Sequence, residues 1–367
     1  MSQLLTVNKG SQTITFNALP EVTYGDPDID PAATSSSSLP VTYLSSDPSV
    51  AVISGNVIHI TGAGTTVISA TQEGNEDFDA APVVQQQLTV RKADQMITFN
   101  AIPDHVYGDD AVILTATASS GLSVVYSSSN PLVATVTDNI LYITGAGNAV
   151  ITASQPGNNN YNAAPQAAQG LVVLKASQVI SFPTLPQATY GGADLIPAAT
   201  STSGLPVTYS SSNASVAVIS GETIVITGAG TALITASQAG NDNYESAVDE
   251  QQTLIVAKAG QTIIFGALSP VAFGAPDFSP AAVSTSGLTI SYSSSNPEVA
   301  VITGNMIHVT GAGSTVITAT QPGNVNYNAA DEDQQTLDVI KADQTITFNA
   351  LPEYVFGDSP FNPGAVS

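Results

Sequence analysis

The amino-acid sequence predicts an all-β chain built from tandem antiparallel β-sandwich domains. Three observations indicate this: short segments in which apolar and polar residues alternate, turn-forming residues between these segments, and a repeat of constant length. The 29 glycines, the 22 prolines and a charged fraction of only 10% agree with many short strands and turns. An ordinary soluble domain carries about 25% charged residues.

An internal repeat with a period of 83 residues organises the chain. The motif Gln-x-Ile-x-Phe recurs without insertion or deletion, beginning at Gln12, Gln95, Gln178, Gln261 and Gln344. Solenoid repeats are typically about 20–45 residues long, whereas this period is long enough to close its own core. We therefore predict separate domains joined end to end, with the end of a preceding repeat at 1–8, repeats one to four at 9–91, 92–174, 175–257 and 258–340, and the truncated start of a fifth repeat at 341–367. Because both ends fall inside a repeat, we expect the chain to be a segment of a longer protein.

Within a repeat, apolar residues recur at every second position, which is typical of half-buried strands. Ile14 and Phe16 alternate with Thr13 and Thr15, and the triplet Gly62-Ala63-Gly64 supplies the backbone freedom that a tight turn needs. Turn signals about 8–12 residues apart are typical of an immunoglobulin-like sandwich, so we predict about seven strands per repeat. The predicted core consists of one set of residues with its equivalents in each repeat: Ile14, Phe16, Tyr43, Ile60, Ile68, Leu88 and Val90.

The basic residues all lie at the junctions between repeats: Lys9, Arg91, Lys92, Lys175, Lys258 and Lys341. One interpretation pairs each lysine with carboxylates of the neighbouring repeat, which would fix the angle between domains. The alternative is a solvated charge worth about 0–1 kcal/mol. A Lys–Asn isopeptide cross-link needs a buried lysine, so the junction position disfavours it. The junction Ala257 to Thr262 contains one glycine and no proline, and short joints of this kind predict an extended, stiff rod.

Composition excludes several classes of function. A net charge of −23 with six basic residues cannot provide the basic surface that nucleic acid or an anionic membrane surface requires. No run approaches the roughly 18 apolar residues of a membrane-spanning helix, so we expect no membrane insertion within this segment. Without cysteine there are no disulfides, and stability must come from packing or bound ions.

Four sequence features together resemble a known family. They are the run Lys341–Phe348, the triplet Tyr24-Gly25-Asp26, the run Val207–Asn213 and the run Gly157–Ala164. These resemble the bacterial Ig-like (Big and MBG-type) repeats of giant cell-surface adhesins of Bacteroidetes, such as gliding-motility adhesins. The resemblance covers nearly the whole chain. It implies an exported protein at the bacterial cell surface, attached to the outer membrane through parts outside this segment, with tandem domains that form a stalk.

The sequence offers no recurrent catalytic constellation. His59 lies in a strand position that alternation turns outward, and it aligns with Tyr142, Val225 and His308. His105 also lacks partners in register, and no histidine lies in register with the serine runs, so we predict that the chain is not an enzyme. The recurrent aromatic residues are interpreted as core. For Tyr161, in the loop before the last strand, we expect a hydroxyl bond to local backbone.

One acidic cluster in repeat one is a candidate metal site. Asp26, Asp28 and Asp30 have a spacing that can wrap a hard cation, which makes calcium the one cofactor considered. The alternative is a set of solvated turn carboxylates on an acidic surface. Each other complete repeat keeps a single carboxylate at the equivalent positions, which weakens the calcium interpretation: Asp109, Asp194 and Asp277.

These observations lead to one functional prediction and two alternatives. The prediction is a non-enzymatic stalk or spacer of a repetitive bacterial surface adhesin, which holds a distal binding region away from the cell. Its partners would be the neighbouring repeats of the same chain. In the first alternative, the repeats bind extracellular polysaccharide or another surface weakly and multivalently. In the second, the chain is a subunit of a self-assembling extracellular fibre.

Overall fold

The computed structural model describes residues 3–367, and these residues form strands and no helix. They divide into two compact units. Unit one extends to Ser177 and also contains Gly240–Ser246, and unit two consists of Gln178–Ala239 and Ala247–Ser367. The all-β prediction is confirmed. No helix within 3–367 is long and apolar enough to cross a membrane.

Repeat one, in unit one, contains a four-stranded sheet and two strand pairs. Its strands are β1 Ile14–Thr15, β2 Val22–Thr23, β3 Thr34–Ser35, β4 Thr42–Ser45, β5 Ala51–Ser54, β6 Val57–Ile60, β7 Gly64–Thr71 and β8 Val84–Arg91. The four-stranded sheet has the order β2-β8-β7-β4, and the pairs are β1 with β3 and β5 with β6. Ile14, Ile58 and Ile68 from these different sheets pack in one core, so the repeat is a sandwich.

Repeat two follows the same plan with one additional strand. Its strands are β9 Ile97–Thr98, β10 His105–Val106, β11 Val112–Ile113, β12 Thr117–Ala118, β13 Val125–Ser128, β14 Ala134–Thr137, β15 Ile140–Ile143, β16 Gly147–Ser154 and β17 Ala167–Leu174. The added strand, β11, pairs with β15. The next residue, Leu114, donates its N–H to the carbonyl of Asn139 at 2.8 Å. The other complete repeats have a proline at this position, and proline has no N–H to donate: Pro31, Pro197 and Pro280.

Repeats three and four belong to unit two, apart from residues 175–177 and 240–246. The strands of repeat three are β18 Ile180–Ser181, β19 Ala188–Thr189, β20 Thr200–Ser201, β21 Thr208–Ser211, β22 Ala217–Ser220, β23 Thr223–Ile226, β24 Gly230–Ser237 and β25 Glu250–Ala257. Those of repeat four are β26 Ile263–Ile264, β27 Val271–Ala272, β28 Val283–Ser284, β29 Ser291–Ser294, β30 Ala300–Thr303, β31 Met306–Val309, β32 Gly313–Thr320 and β33 Asp333–Ile340. The four-stranded sheets have the orders β19-β25-β24-β21 and β27-β33-β32-β29. With eight or nine strands each, the repeats contain more strands than the predicted seven.

One strand pairing in each repeat departs from the antiparallel prediction. The second strand runs parallel to the last, with Val22 opposite Val90 in repeat one, and the same pairing recurs in the other three. The chain that forms β1 in one sheet continues into β2 in the other. Because β2 adds to the edge of β8, the end of the last strand lies beside residues 22–24, where the chain leaves the repeat.

Each complete repeat has its own core. The four buried clusters contain residues of one sequence repeat each. In repeat one, the predicted core residues Ile14, Phe16, Ile68, Leu88 and Val90 are buried. Two others are half-buried and pack against this cluster: Tyr43 and Ile60. The boundaries at 9, 92, 175, 258 and 341 stay sequence predictions.

Residues 341–367 are exposed along their whole length. Gln344 is exposed, whereas the equivalent glutamines Gln12, Gln95, Gln178 and Gln261 are buried. In repeat two, the buried side chain of Gln95 donates a hydrogen bond to Gln155, which lies sixty positions further along the chain.

Candidate functional site: the contacts between successive repeats

The loop before the last strand of each complete repeat is a side-chain-closed turn. We call residues 157–162 the asparagine loop, with equivalents at 74–79, 240–245 and 323–328. In the asparagine loop of repeat two, Asn158 Oδ1 accepts hydrogen bonds from the N–H groups of Asn160 and Tyr161, at 2.8 and 2.9 Å. Asn75, Asn241 and Asn324 close the other three loops in the same way. Such turns hold the following residues in one conformation.

The asparagine loop is anchored to the first residues of its own repeat. Ala93 donates its N–H to the Asn160 carbonyl at 2.9 Å, and Asn162 donates to the Ala93 carbonyl at 2.8 Å. The buried Gln95 amide donates to the Asn162 carbonyl at 2.7 Å and to Gln155 Oε1 at 2.8 Å. Because a buried amide that loses its partner is costly, this pair fixes the base of the loop.

The middle asparagine of the loop contacts the preceding repeat. Asn160 Oδ1 accepts a hydrogen bond from the backbone N–H of Ala63, at 2.9 Å. The two residues are 97 positions apart. The same bond, at the same separation and distance, occurs in unit one from Ala146 to Asn243 and in unit two from Ala229 to Asn326. The side chain that enters the turn is therefore the same at three places in the chain.

A glycine makes room for this asparagine. A Cβ atom at Gly62 would lie 2.4 Å from the Ser49 carbonyl oxygen and 3.2 Å from Asn160 Oδ1. Gly145 and Gly228 have the same surroundings. The Gly-Ala-Gly triplet, which the sequence indicated as a turn, is thus also the receiving surface of the contact.

Two tyrosine rings form the second part of the contact. Tyr24 and Tyr161 meet edge to face, with ring centroids 5.5 Å apart and an interplanar angle of 85°. The same geometry occurs between Tyr107 and Tyr244, and in unit two between the rings of Tyr190 and Tyr327. An edge-to-face pair contributes about 0.5–1.5 kcal/mol beyond its buried area.

The junction lysines take a different partner from those considered above. Lys92 Nζ donates to the backbone carbonyl of Asn158 at 2.7 Å, within its own repeat. Lys175 and Lys258 make the same bond to Asn241 and Asn324. Of the two interpretations drawn from the sequence, pairing with carboxylates of the neighbouring repeat is not observed for these three lysines, because the anchored loop presents a carbonyl to the ammonium group. Lysine thus braces the loop instead of bridging to an acid.

Arg91 forms an ion pair inside repeat one. Its Nε lies 2.5 Å from Glu21 Oε1, and the guanidinium engages both carboxylate oxygens. This hydrogen bond raises the pKa of Arg91. Both side chains are about half exposed or more, so the pair contributes little to stability.

The candidate calcium ligands each have a separate protein partner. Asp26 accepts from the Thr23 N–H at 2.7 Å, and Asp30 accepts from the Ala32 N–H at 3.0 Å. Asp28 lies 2.5 Å from His59 Nδ1. Among residues 3–367, no group of three or more His, Asp and Glu side chains is placed to hold a metal ion. The calcium hypothesis and its alternative, solvated turn carboxylates, both stay untested sequence hypotheses.

The histidines have carboxylate partners that sequence reasoning missed. His59 pairs with Asp28, and the equivalent His308 lies 2.7 Å from Asp277. His105 lies 3.2 Å from Asp109. The sequence signal for this pairing was partial: repeat two lacks both partners, with Tyr142 at the histidine position and Ala111 at the carboxylate position, whereas repeat three keeps Asp194 opposite Val225.

The tyrosine hydroxyl that bonds to local backbone is not that of Tyr161, whose ring instead packs on Tyr24. Tyr43 makes this contact, because its hydroxyl oxygen accepts from the Ala33 N–H at 3.0 Å. Tyr126 and Tyr292 do the same in their repeats. Burial raises the pKa of Tyr43 above its ordinary value.

No protein-family model matches the sequence, and no curated protein matches it. Similar solved structures include Sidekick-1 immunoglobulin domains 1–5, at 13% identity and a TM-score of 0.30, covering 91% of this chain and 78% of that one. Another is Drosophila N-cadherin EC1-4, at 12% identity and a TM-score of 0.23, covering 83% of this chain and 92% of that one. A third is the human Desmocollin-1 ectodomain, at 8% identity and a TM-score of 0.23, covering 86% of this chain and 77% of that one. Scores this low support no inference about the function of this chain.

Proposed function

We propose that this chain is a non-enzymatic spacer segment of a repetitive bacterial cell-surface adhesin, in which tandem Ig-like repeats hold a distal binding region away from the cell. The observation that carries the proposal is the recurrence of one contact at three places, with the same residues and the same 2.9 Å hydrogen bond. At each of the three places, the recurring residues contact the neighbouring repeat. A spacer needs every joint to be alike.

The chemistry of the contact suits a joint that resists bending. The asparagine side chain is held by a turn, the turn is anchored to the linker, and the linker continues directly from the last strand of the preceding repeat. A hydrogen bond and an edge-to-face ring pair meet on that preceding repeat, so bending would have to break directional contacts. The acidic surface keeps neighbouring chains apart by repulsion, which discourages pairing of exposed strand edges.

Small-angle X-ray scattering tests the proposal with a matched pair of variants. The joint variant carries Asn160→Ala, Asn243→Ala and Asn326→Ala. The control variant changes the exposed residue directly before each of these asparagines, in repeats two, three and four: Asn159→Ala, Asp242→Ala and Val325→Ala. We expect the joint variant to have a smaller mean maximum dimension than the wild type, and the control to match the wild type.

Three other outcomes would overturn the spacer proposal. Equal scattering of the joint variant and the wild type would mean that these contacts do not stiffen the chain. A particle mass that rises with concentration would favour the fibre alternative. Retardation of the chain in glycan-containing gels would favour the polysaccharide-binding alternative.

A further inference from the structure

Among residues 3–367, no asparagine loop contacts the receiving half of this contact in repeat four. We call Phe273, Gly311, Ala312 and Lys341 the repeat-four end. They are the equivalents of Tyr24, Gly62, Ala63 and Lys92, and all four lie in unit two. Together with Thr310 and residues 342–344 they line an open cleft of about 430 Å³.

The residues of the repeat-four end are more exposed than their equivalents in the other repeats. Gly62, Gly145 and Gly228 are buried under an asparagine side chain, whereas Gly311 is only half-buried. A Cβ atom at Gly311 would meet the Glu298 carbonyl at 2.4 Å but no asparagine. Phe273 is 48% exposed, and Ala312 is exposed where its equivalents are half-buried. The backbone geometry around Gly311 is the same as at the three occupied sites, with its N–H bonded to Val299.

We propose that the repeat-four end binds the asparagine loop of a further repeat of this kind, placed after residue 340 in the same polypeptide. The loop's middle asparagine would accept a hydrogen bond from the Ala312 N–H, and its following aromatic ring would pack edge to face on Phe273. Three copies of this surface hold this loop with one geometry, so the repeat-four end continues an established interface. The inference extends the proposed function by naming the partner of this surface.

The binding partner is defined by chemistry that few other ligands share. The Ala312 N–H requires an acceptor on a short side chain, because the glycine beside it leaves room for a carboxamide and little more. An aromatic ring must follow that residue directly. In the three loops that make this contact, the pattern reads Gly-Asn-x-Asn-Tyr, as in Gly323–Tyr327. Within the chain the loop is delivered at high effective concentration, so a separate peptide should bind only in the millimolar range.

The test uses the full chain labelled with ¹⁵N and a cyclised peptide with the sequence of residues 322–329, Pro-Gly-Asn-Val-Asn-Tyr-Asn-Ala. We expect chemical-shift changes at the amides of Gly311 and Ala312, and none at Ala63, whose partner is already in place. A control peptide with the Asn326→Ala change should bind about tenfold more weakly. Phe273→Ala in the chain should weaken binding by a similar factor.

Three results would overturn the inference. The first is the absence of shifts at Ala312 with the peptide at millimolar concentration, and the second is equal binding of the two peptides. The third is a concentration-dependent mass of the chain alone that Asp77→Ala abolishes, since this would show that a second copy supplies the loop from its repeat one. Failure of peptide binding would leave the scattering test of the spacer unaffected, so the two proposals can fail separately.

Discussion

Removing the asparagine side chain at residue 160 should loosen one joint and leave the repeats folded. Asn160 Oδ1 is the acceptor for the Ala63 N–H at 2.9 Å, across 97 positions of sequence. Asn160→Ala leaves that half-buried N–H without a protein partner, which costs about 1–3 kcal/mol. The asparagine loop itself should persist, because Asn158 and Ala93 hold its backbone.

Native-state hydrogen exchange measures this cost at a single amide. A loss of about 1–3 kcal/mol corresponds to exchange roughly 5- to 150-fold faster at the Ala63 N–H. The Ala146 N–H serves as an internal reference, because Asn243 still holds it. Asn159→Ala is the matched control, since this neighbouring side chain is exposed, and it should leave both amides unchanged.

Two results would refute the reasoning. Unchanged exchange at Ala63 in the Asn160→Ala variant would mean that the hydrogen bond contributes no protection. Equal acceleration at Ala63 and Ala146 would mean that the substitution acts through general unfolding and not through one joint. Asn160→Asp keeps an acceptor at this position, as Asp77 does in repeat one, and should restore most of the protection.

The remaining predictions concern cores, pH and calcium. Phe182→Ala should destabilise repeat three by about 3–5 kcal/mol, because Phe182 is buried, with 8% of its surface exposed. Phe99→Ala should reduce the stability of repeat two by less, because Phe99 is half-buried. Calorimetry of each variant measures the difference. The Val106 N–H lowers the pKa of Asp109, so its NMR titration midpoint should lie below the usual 3.8. Its contribution to stability is then complete above pH 3.8 and lost as the pH falls through the lower, folded-state value. Calcium should give no calorimetric heat and no change in melting temperature, because Asp26 and its neighbours are separately bonded.

The alternation of apolar residues was sufficient to predict the strands and most of the core. Ile68 and Leu88 are fully buried, as their positions in a period of two require. Period and burial are linked because a strand turns successive side chains to opposite faces. The additional strand β11 was also visible in principle, since repeat two alone has Leu114 in place of a proline.

The pairing of strands and the joint contacts could not be predicted in the same way. Alternation reports which face of a strand is buried but not which strand lies beside it, so the parallel pairing of β2 with β8 was missed. The contact from Asn160 to Ala63 also has no effect on the alternation of apolar and polar residues. It uses one polar side chain in a loop where polar residues are expected, and its partner is a backbone N–H with no side-chain signature.

Constancy within a variable loop was the signal that could have identified this asparagine. The preceding position varies freely, as Asn159, Asp242 and Val325 show, whereas Asn160, Asn243 and Asn326 are identical. Asp77, in repeat one, also keeps a side-chain oxygen at this position. A residue that is identical in several repeats while its neighbour varies indicates a contact that requires its side chain. Because an exposed loop makes few contacts within its own repeat, the contact is expected to be with another repeat. Since the contact joins only adjacent repeats, each joint adds its own coupling energy, and loosening one should leave the next unchanged.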